Sequence, residues 1–224
     1  MRNAKDGTTR KNEILDITLA LFGEKGYEKT TVEDILNRTG ISKGTFYYYF
    51  ETKEDVLKVL ATREVEKKLA LTGKIVEDES LSAIDKINKL ISEAQRINFT
   101  DLENRMKIYK AVKEYGNLEL QQRMHDHGIL FGTPLIQRIL EQGIAEKTMK
   151  TNFPEEVAGL YIEIMNQYKA AIAKMWIEIE DKAQIKTLLK KKTQFYQDLF
   201  ERILEIKDGQ LLFLETAFKY IDEL

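Results

Sequence analysis

Cysteine is missing from this chain of 224 residues, and only two prolines are present. Without cysteine there are no disulfides and no thiolate metal ligands, so a reducing compartment is compatible with the sequence. So few prolines leave room for long uninterrupted helices. The two histidines are too few for a histidine-rich metal sensor. The composition therefore points away from disulfide-stabilised and metal-sensing proteins.

Long apolar runs are missing as well. No stretch of about 18 apolar residues is available to span a membrane, and the polar N-terminal segment MRNAKDGTTRKNE lacks the apolar region of a signal peptide. The net charge of −2 argues neither for nor against a nucleic-acid partner. We therefore expect a cytoplasmic protein.

Apolar residues recur at helical spacing along almost the whole chain, and no alternating strand pattern competes. The predicted fold class is therefore all-α. Pro134 is expected to break or kink a helix, whereas Pro154 fits the first turn of one. The expected helices cover about 11–24, 31–39, 43–50, 53 into the seventies, a segment from 80 or 82, a segment from about 101, 117–146 with an interruption at 128–134, 154–180, 182–206 and 209–224.

Two short helices joined by a tight turn are predicted between residues 30 and 50. Thr30 and Glu33 have the spacing of a capping box for the first helix. Gly40 is suited to end that helix, and Ser42 to act as N-cap of the second. This arrangement is typical of a helix-turn-helix, whose second helix enters the major groove of DNA.

The second helix contains the segment SKGTFYYYF, which ends in five consecutive aromatic residues. With Ser42 as N-cap, Phe46, Tyr49 and Phe50 share one face and are expected to pack inward. Tyr47 and Tyr48 then lie on the outer side. The predicted helix is therefore amphipathic, with an outer face that is also aromatic.

The outer face has chemistry that suits DNA. The rings of the two outward tyrosines can contact sugars or thymine methyl groups, and their hydroxyls can contact phosphates. Lys43 adds positive charge, and Gly44 allows the backbone to approach closely. No acidic residue occurs between Asp34 and Glu51 in a chain otherwise rich in them. These features favour DNA contact over a tyrosine surface without a partner.

The segment TTVEDILNRTGISKGTFYYYFETKEDVL resembles the DNA-binding signature of the TetR family of bacterial transcriptional regulators. The resemblance covers about residues 10–60, including the KGY that follows the first helix. Beyond it, the chain is similar to the family in its helical character and length. RILEQGIAEKTMKTNFPEEVAGLY is similar to the family's join between two C-terminal helices, but has Lys147 where glycine is often found, so we expect this connection to differ.

The resemblance implies a three-helix helix-turn-helix DNA-binding domain over residues 1–51 and a larger helical bundle over 52–224 for ligand binding and dimerisation. It also implies a homodimer that binds a pseudo-palindromic double-stranded DNA operator, and a repressor that a small-molecule effector releases. Arg10, in a basic N-terminal arm, would add a contact. Carried over residue by residue, the expected DNA contacts are Thr31, Ser42, Lys43, Gly44, Thr45, Tyr47, Tyr48 and Lys53.

The effector site is expected within the C-terminal bundle, since ligand pockets are mostly apolar with a few polar groups. Tyr161, Met165 and Tyr168 share a helix face and are the first choice, for a hydrophobic or aromatic ligand. Each candidate could equally be an ordinary core residue, because aromatic residues and methionines at helical spacing are common in helical cores. The full set of candidates is Phe99, Met106, Tyr109, Tyr161, Met165, Tyr168 and Trp176.

Dimerisation is expected to use the helices 154–180 and 182–206 as a four-helix bundle across a two-fold axis. The apolar segment after Gly209 has to be covered as well, either by its own subunit or by the partner. The sequence leaves both possibilities open.

Other functional classes find less support in the sequence. His125 and His127 are two residues apart and do not share a helix face, so a metal site is not expected. Without a local catalytic constellation, we expect neither an enzyme nor a cofactor. The alternative function is a TetR-like adaptor that uses the aromatic face to bind another protein.

Overall fold

The computed structural model describes residues 7–100, 107, 108, 110, 111 and 118–221. Within these residues all regular secondary structure is helical, which confirms the predicted all-α fold. Residues 107, 108, 110 and 111 are helical too, while the rest of the helix predicted from Asp101 lies outside the described residues. The longer helices are α1 (Gly7–Lys25), α2 (Val32–Thr39), α3 (Lys43–Tyr49), α4 (Lys53–Val76), α5 (Ala83–Thr100), α6 (Leu118–Ala145), α7 (Pro154–Glu178), α8 (Lys182–Ile203) and α9 (Phe213–Ile221).

The described residues form two compact units, and both α4 and α6 are shared between them. The first unit contains residues 7–66, 107, 108, 110, 111 and 118–125, and the second contains 67–100 and 126–221. The start of α4 belongs to the first unit because Val56, Leu57 and Leu60 are fully buried in its core. The boundary predicted between residues 51 and 52 was based on a change in composition, whereas the compact units are defined by packing.

A capping box begins α2, one residue later than predicted. The Thr31 hydroxyl accepts a hydrogen bond from the Asp34 N–H at 3.1 Å, and the Asp34 carboxylate accepts one from the Thr31 N–H at 3.0 Å. The predicted pair of Thr30 and Glu33 is wrong. Thr30 is fully buried, and its hydroxyl donates to the carbonyl of Gly26 at 2.8 Å. Both registers satisfy the capping spacing, and the burial of Thr30 selects between them.

The core of the first unit is formed by α1 to α4 together with Ile108 and Ala111. Tyr27, just after α1, is buried with its ring edge-on to Phe22 at 5.1 Å between centroids. Its hydroxyl donates to the carboxylate of Glu54 at 2.9 Å. Other large side chains that are almost completely buried in this core include Ile14, Leu15, Leu21, Ile35, Phe46, Leu57 and Leu60.

The second unit has its own core, with an aromatic cluster at its centre. The Tyr168 ring lies 5.0 Å from that of Tyr196 and 5.6 Å from that of Phe213. Tyr161 packs on Phe200 at 5.0 Å. Because these rings come from α7, α8 and α9, the cluster joins three helices that follow one another along the chain.

The helix α6 continues through Pro134, so the predicted interruption at residues 128–134 is wrong. Proline removes one backbone hydrogen bond from a helix interior. Ile136, Ile139 and Leu140, in the following turns, are buried in the second core. Tertiary packing of this apolar stripe thus outweighs the local cost of the proline.

The connection between α6 and α7 contains a lysine in the left-handed region. Lys147 has φ of 60°, a conformation that glycine usually supplies after a helix. The N–H groups of Thr148 and Met149 both donate to the carbonyl of Gly143, at 2.9 and 3.1 Å. The turn therefore takes a left-handed conformation at Lys147 without glycine.

The apolar segment after Gly209 is covered by its own chain. The predicted helix starts later than expected, at Phe213, after a turn in which Gly209 has φ of 79°. The buried carboxylate of Glu201 accepts hydrogen bonds from the N–H groups of Gly209 and Leu211, at 2.9 and 3.1 Å. The side chain of Asn88 on α5 bonds the backbone of the same turn. With Phe213 fully buried, α9 is an integral part of the second core.

Candidate nucleic-acid interface

The geometry of the helix-turn-helix is set by a three-residue turn between α2 and α3. Gly40 ends α2 with φ of 66°, and its N–H donates to the carbonyl of Leu36 at 2.9 Å. Ser42 begins α3, since its hydroxyl accepts from the N–H of Thr45 at 3.1 Å. The predicted cap residues of this turn are confirmed.

The five aromatic residues, four at the end of α3 and Phe50 at its C-cap, are divided between two faces. Phe46 and Phe50 are buried in the first core, and Tyr49 is half-buried against it. Tyr47 and Tyr48 point outward, with 47% and 81% of their surface exposed. The division predicted from helical geometry is thus confirmed, with Tyr49 less deeply buried than the two phenylalanines.

Both outward rings are held by neighbouring side chains. Tyr47 packs edge-on against Phe46 at 5.5 Å, and Tyr48 packs edge-on against Tyr49 at 4.9 Å. The ammonium group of Lys43 lies 5.9 Å from the centroid of the Tyr47 ring. A basic and aromatic surface is therefore already ordered on the outer side of α3.

The small polar side chains predicted to contact DNA are used mainly as caps. The hydroxyls of Ser42 and Thr45 share a hydrogen bond of 2.8 Å, and the Thr31 hydroxyl is occupied by the capping box of α2. A Cβ added to Gly44 would meet only the Ser42 hydroxyl, at 3.9 Å, so the backbone there is open to a partner. These residues shape the end of α3 and leave space beside it.

Lys53 has a role that the sequence pattern does not reveal. Its ammonium group donates to the carbonyls of Tyr27, Glu28 and Thr30, at 3.0, 3.2 and 3.1 Å. It also lies 4.4 Å from the centroid of the Tyr27 ring. Lys53 therefore ties the loop between α1 and α2 to the start of α4, through partners that are more than twenty residues away in sequence.

Ion pairs join α1 to α2 on the surface of the first unit. The Arg38 guanidinium bonds both carboxylate oxygens of Glu24, at 2.6 and 3.3 Å, and lowers the pKa of that carboxyl. A hydrogen bond from Lys25, reinforced by Thr31, lowers the pKa of Asp34 to about 2. Within the described part of the chain, no comparable carboxylate neutralises Lys43.

Arg10, near the beginning of α1, also pairs within the chain. Its guanidinium lies 3.0 Å from the carboxylate of Glu13, three residues along the same helix. The pair is half-exposed, which makes it easily rearranged.

Of the predicted effector residues, Tyr161, Met165 and Tyr168 lie together on α7 and are buried in the second core. Burial raises the pKa of both tyrosine hydroxyls. Trp176 packs against the same core from the end of α7. The other candidates, Met106, Tyr109 and the side chain of Phe99, lie outside the described residues.

A buried polar chain crosses the second core and is not foreseen from the sequence. The Tyr168 hydroxyl shares a hydrogen bond of 2.8 Å with the Thr193 hydroxyl and accepts one of 3.4 Å from the Gln95 amide. All three side chains are almost fully buried. Since they come from α5, α7 and α8, local sequence carries no signal that brings them together.

Several buried polar atoms of the second unit have no hydrogen-bond partner in the described structure. They are the Gln95 Oε1, the Thr133 Oγ1 and the Trp176 Nε1. An unsatisfied buried polar group costs about 1–3 kcal/mol. Such groups are sparse in folded proteins and call for an explanation.

Both histidines, His125 and His127, lie on α6. The ring of His127 lies 4.5 Å from that of Phe131. Over the described residues, no group of three or more potential metal ligands is clustered. In the same part of the chain, no helix combines the length and apolar character required to cross a bilayer.

The region that contains the helix-turn-helix matches a known family. Residues 14–60 match the family model described as bacterial regulatory proteins, tetR family. A transcriptional regulator of Lactococcus lactis, named for the lacX 3′ region and itself uncharacterized, is 39% identical over 72 residues, which are 31% of this chain and 37% of that protein. The chain thus aligns with little more than a third of this relative's length.

Two longer similarities extend into the second unit. The fatty acid metabolism regulator protein of Bacillus subtilis is 29% identical over 149 residues, covering 65% of this chain and 74% of the relative. The solved SmeT–triclosan complex superposes with a TM-score of 0.69 at 19% identity, over 91% of this chain and 94% of the other. At that identity the structural similarity shows a shared fold.

Proposed function

We propose that this chain, whose residues 14–60 match the model for bacterial regulatory proteins of the tetR family, is a TetR-type DNA-binding transcriptional regulator. Its role is that of a repressor which a small-molecule effector releases from the operator. The observation that carries the proposal is the outer face of α3, where Lys43, Tyr47 and Tyr48 form an exposed basic and aromatic surface on a capped helix-turn-helix. As a DNA-binding regulator, it is proposed to act in the cytoplasm.

On this proposal, α3 lies in the major groove and its flanks hold the DNA backbone. Lys43, Tyr47 and Tyr48 contact bases and sugars, while Gly44 lets the helix approach. The capping hydroxyls contact phosphates from the ends of α2 and α3; these are Thr31, Ser42 and Thr45. For Lys53, whose three backbone acceptors occupy its ammonium group, we propose a positioning role for the helix-turn-helix.

We propose a homodimer formed through α7 and α8, so that two copies of α3 meet the two half-sites of a pseudo-palindrome. Both helices carry large apolar side chains on their outer surfaces, which supports this interface. Leu160 and Ile177 on α7 are exposed, and Phe195 on α8 has 59% of its surface exposed. Packing these side chains across a two-fold axis would remove them from water.

We propose that the effector binds within the second unit, beside Tyr161, Met165 and Tyr168. The unpartnered oxygen of Gln95 supports a ligand that brings a hydrogen-bond donor into an otherwise apolar core. The proteins with similar folds or sequences include one solved with triclosan and one named for fatty acid metabolism. A hydrophobic or aromatic molecule with one polar group fits both the core and these precedents.

DNA binding is tested with the purified dimer and duplexes from the region flanking its own gene, using fluorescence anisotropy over a range of salt concentrations. We expect selective binding that weakens steeply with salt, because phosphate contacts release counterions. Lys43→Ala should weaken binding and lower the salt slope, because it removes a positive charge beside the DNA. Lys207→Ala, exposed in the turn after α8, is the matched control and should change neither.

Two results would contradict the proposal. One is the absence of any selective binding by the wild-type dimer. The other is a stoichiometric protein partner that Tyr47→Ala abolishes while DNA binding is absent, which would establish the adaptor function. The effector is sought by native mass spectrometry of the purified protein, and a retained small molecule should be lost in Tyr168→Phe.

A further inference from the structure

The outer face of α3 has few side chains that can form directional hydrogen bonds with bases. Between Gly40 and Phe50 there is no arginine, asparagine, glutamine, aspartate or glutamate. Bidentate reading of guanine by arginine, and of adenine by asparagine or glutamine, is therefore excluded on this helix. Asn37, the nearest amide, lies on α2.

The hydroxyls of the N-cap are already engaged with one another and with the backbone. Ser42 Oγ already accepts the Thr45 N–H and shares a hydrogen bond with the Thr45 hydroxyl. The donors left on the face are the Lys43 ammonium group, the two outward tyrosine hydroxyls and the one hydroxyl hydrogen of Ser42 or Thr45 that their shared bond does not use. A hydroxyl can donate or accept, so it distinguishes bases poorly.

Aromatic carbon is the largest feature that remains. The rings of Tyr47 and Tyr48 are exposed and make edge-on contacts with Phe46 and Tyr49. The 5-methyl group of thymine is the one apolar group that a standard base pair presents in the major groove. An ordered aromatic surface is complementary to it.

We infer that the operator is recognised chiefly through thymine methyl groups that face Tyr47 and Tyr48. The inference rests on the proposed DNA-binding function and adds the class of base that the face selects. It implies half-sites with required A·T pairs whose thymines are on the strand nearest α3.

The test begins with selection of binding sites from a library of random 30-base-pair duplexes, followed by resynthesis with deoxyuridine in place of single thymines. Deoxyuridine keeps the pairing edge and removes only the methyl group. We expect each methyl in contact to contribute about fourfold in affinity, from the free energy of burying one such group. Deoxyuridine outside the half-sites is the control and should have no effect.

Tyr48→Ala identifies the partner of a given methyl group. In this variant, the loss caused by deoxyuridine at the position facing Tyr48 should disappear, while the loss at the position facing Tyr47 persists. Circular dichroism checks that the variant is folded. Unchanged affinity for every deoxyuridine duplex, or required G·C pairs at all conserved half-site positions, would overturn the inference. If no duplex is enriched above non-specific binding, the proposed DNA-binding function itself fails.

Discussion

In the first compact unit the side chains proposed to meet a ligand are exposed on one short helix, whereas in the second they are buried among three long ones. Tyr47 and Tyr48 owe their position to the periodicity of α3 alone. Gln95, Tyr168 and Thr193 meet only because α5, α7 and α8 pack together. The comparison teaches that an exposed binding face can be derived from local sequence, while a buried site depends on the assembly of distant segments.

The largest expected effect is on the free energy of unfolding, and it distinguishes the buried face of α3 from the exposed face. Phe46→Ala should lower the free energy of unfolding of the first unit by about 3–5 kcal/mol, because it leaves a cavity in the core. Urea unfolding followed by circular dichroism measures this change, and Trp176, the single tryptophan, reports the second unit separately by fluorescence. Tyr48→Ala is the control and should change stability by no more than about 0.5 kcal/mol. A comparable loss in both variants would contradict the division of the aromatic residues.

The next effect tests the buried polar chain of the second unit. Tyr168→Phe removes the hydroxyl that bonds Thr193 and Gln95, and leaves buried polar groups unsatisfied. We expect a loss of about 1–3 kcal/mol in the free energy of unfolding, measured by Trp176 fluorescence. Tyr196→Phe, in the adjacent ring, is the matched control. Equal effects in the two variants would mean that the hydrogen bonds of Tyr168 with Thr193 and Gln95 add no stability.

A third variant asks whether the first unit also depends on non-local polar contacts. Lys53→Met removes three hydrogen bonds to backbone carbonyls and should cost about 1–2 kcal/mol of stability. The salt slope of DNA binding should stay unchanged, because the ammonium group is occupied within the chain. Lys58→Met, which breaks an exposed pair with Asp55, should cost only a few tenths of a kcal/mol. A shallower salt slope in Lys53→Met would instead identify a phosphate contact.

The turn after α6 offers a stabilising change. Lys147→Gly should raise the free energy of unfolding by about 1 kcal/mol, because it relieves a left-handed conformation that is unfavourable for residues with a Cβ atom. Ala145→Gly, in the helical conformation two residues earlier, should have the opposite sign, at about 0.5–1 kcal/mol. Chemical denaturation compares both with the wild type. A destabilised Lys147→Gly would show that the lysine side chain contributes more than the strain.

The smallest expected effect is on the pH dependence of the first unit. Because the pKa of Asp34 falls from 3.8 to about 2 on folding, its contribution to stability is complete above pH 3.8 and is lost as the pH falls towards 2. The difference in unfolding free energy between the wild type and Asp34→Asn should therefore shrink between pH 4 and pH 2. A constant difference across this window would exclude the ionised carboxylate as its cause.

Much of the first unit could be predicted because its signals are local. Gly40 and Ser42 mark the turn, and the spacing of Phe46 and Phe50 marks the buried face of α3. The register of the α2 cap was predicted incorrectly because Thr30 and Thr31 both satisfy the spacing, and only burial of Thr30 against α1 distinguishes them. Short-range patterns thus located the motif but not every contact within it.

The second unit was predicted less fully because its outcome depends on packing. Pro134 is accommodated within α6 because the following turns are buried. The segment after Gly209 is covered by its own chain because Glu201, eight residues earlier, caps its turn, and Asn88 joins it from α5. Neither result is contained in the helical periodicity of the segments themselves.

The sequence by itself determined the all-α class, the helix-turn-helix and the outward position of Tyr47 and Tyr48, since each follows from spacing within a few turns of one helix. Only the tertiary structure decided the backbone contacts of Lys53, the burial of α9 and the hydrogen bonds that join Gln95, Tyr168 and Thr193. Those features join groups from separate helices, and helix periodicity specifies which face is buried without specifying which partner buries it.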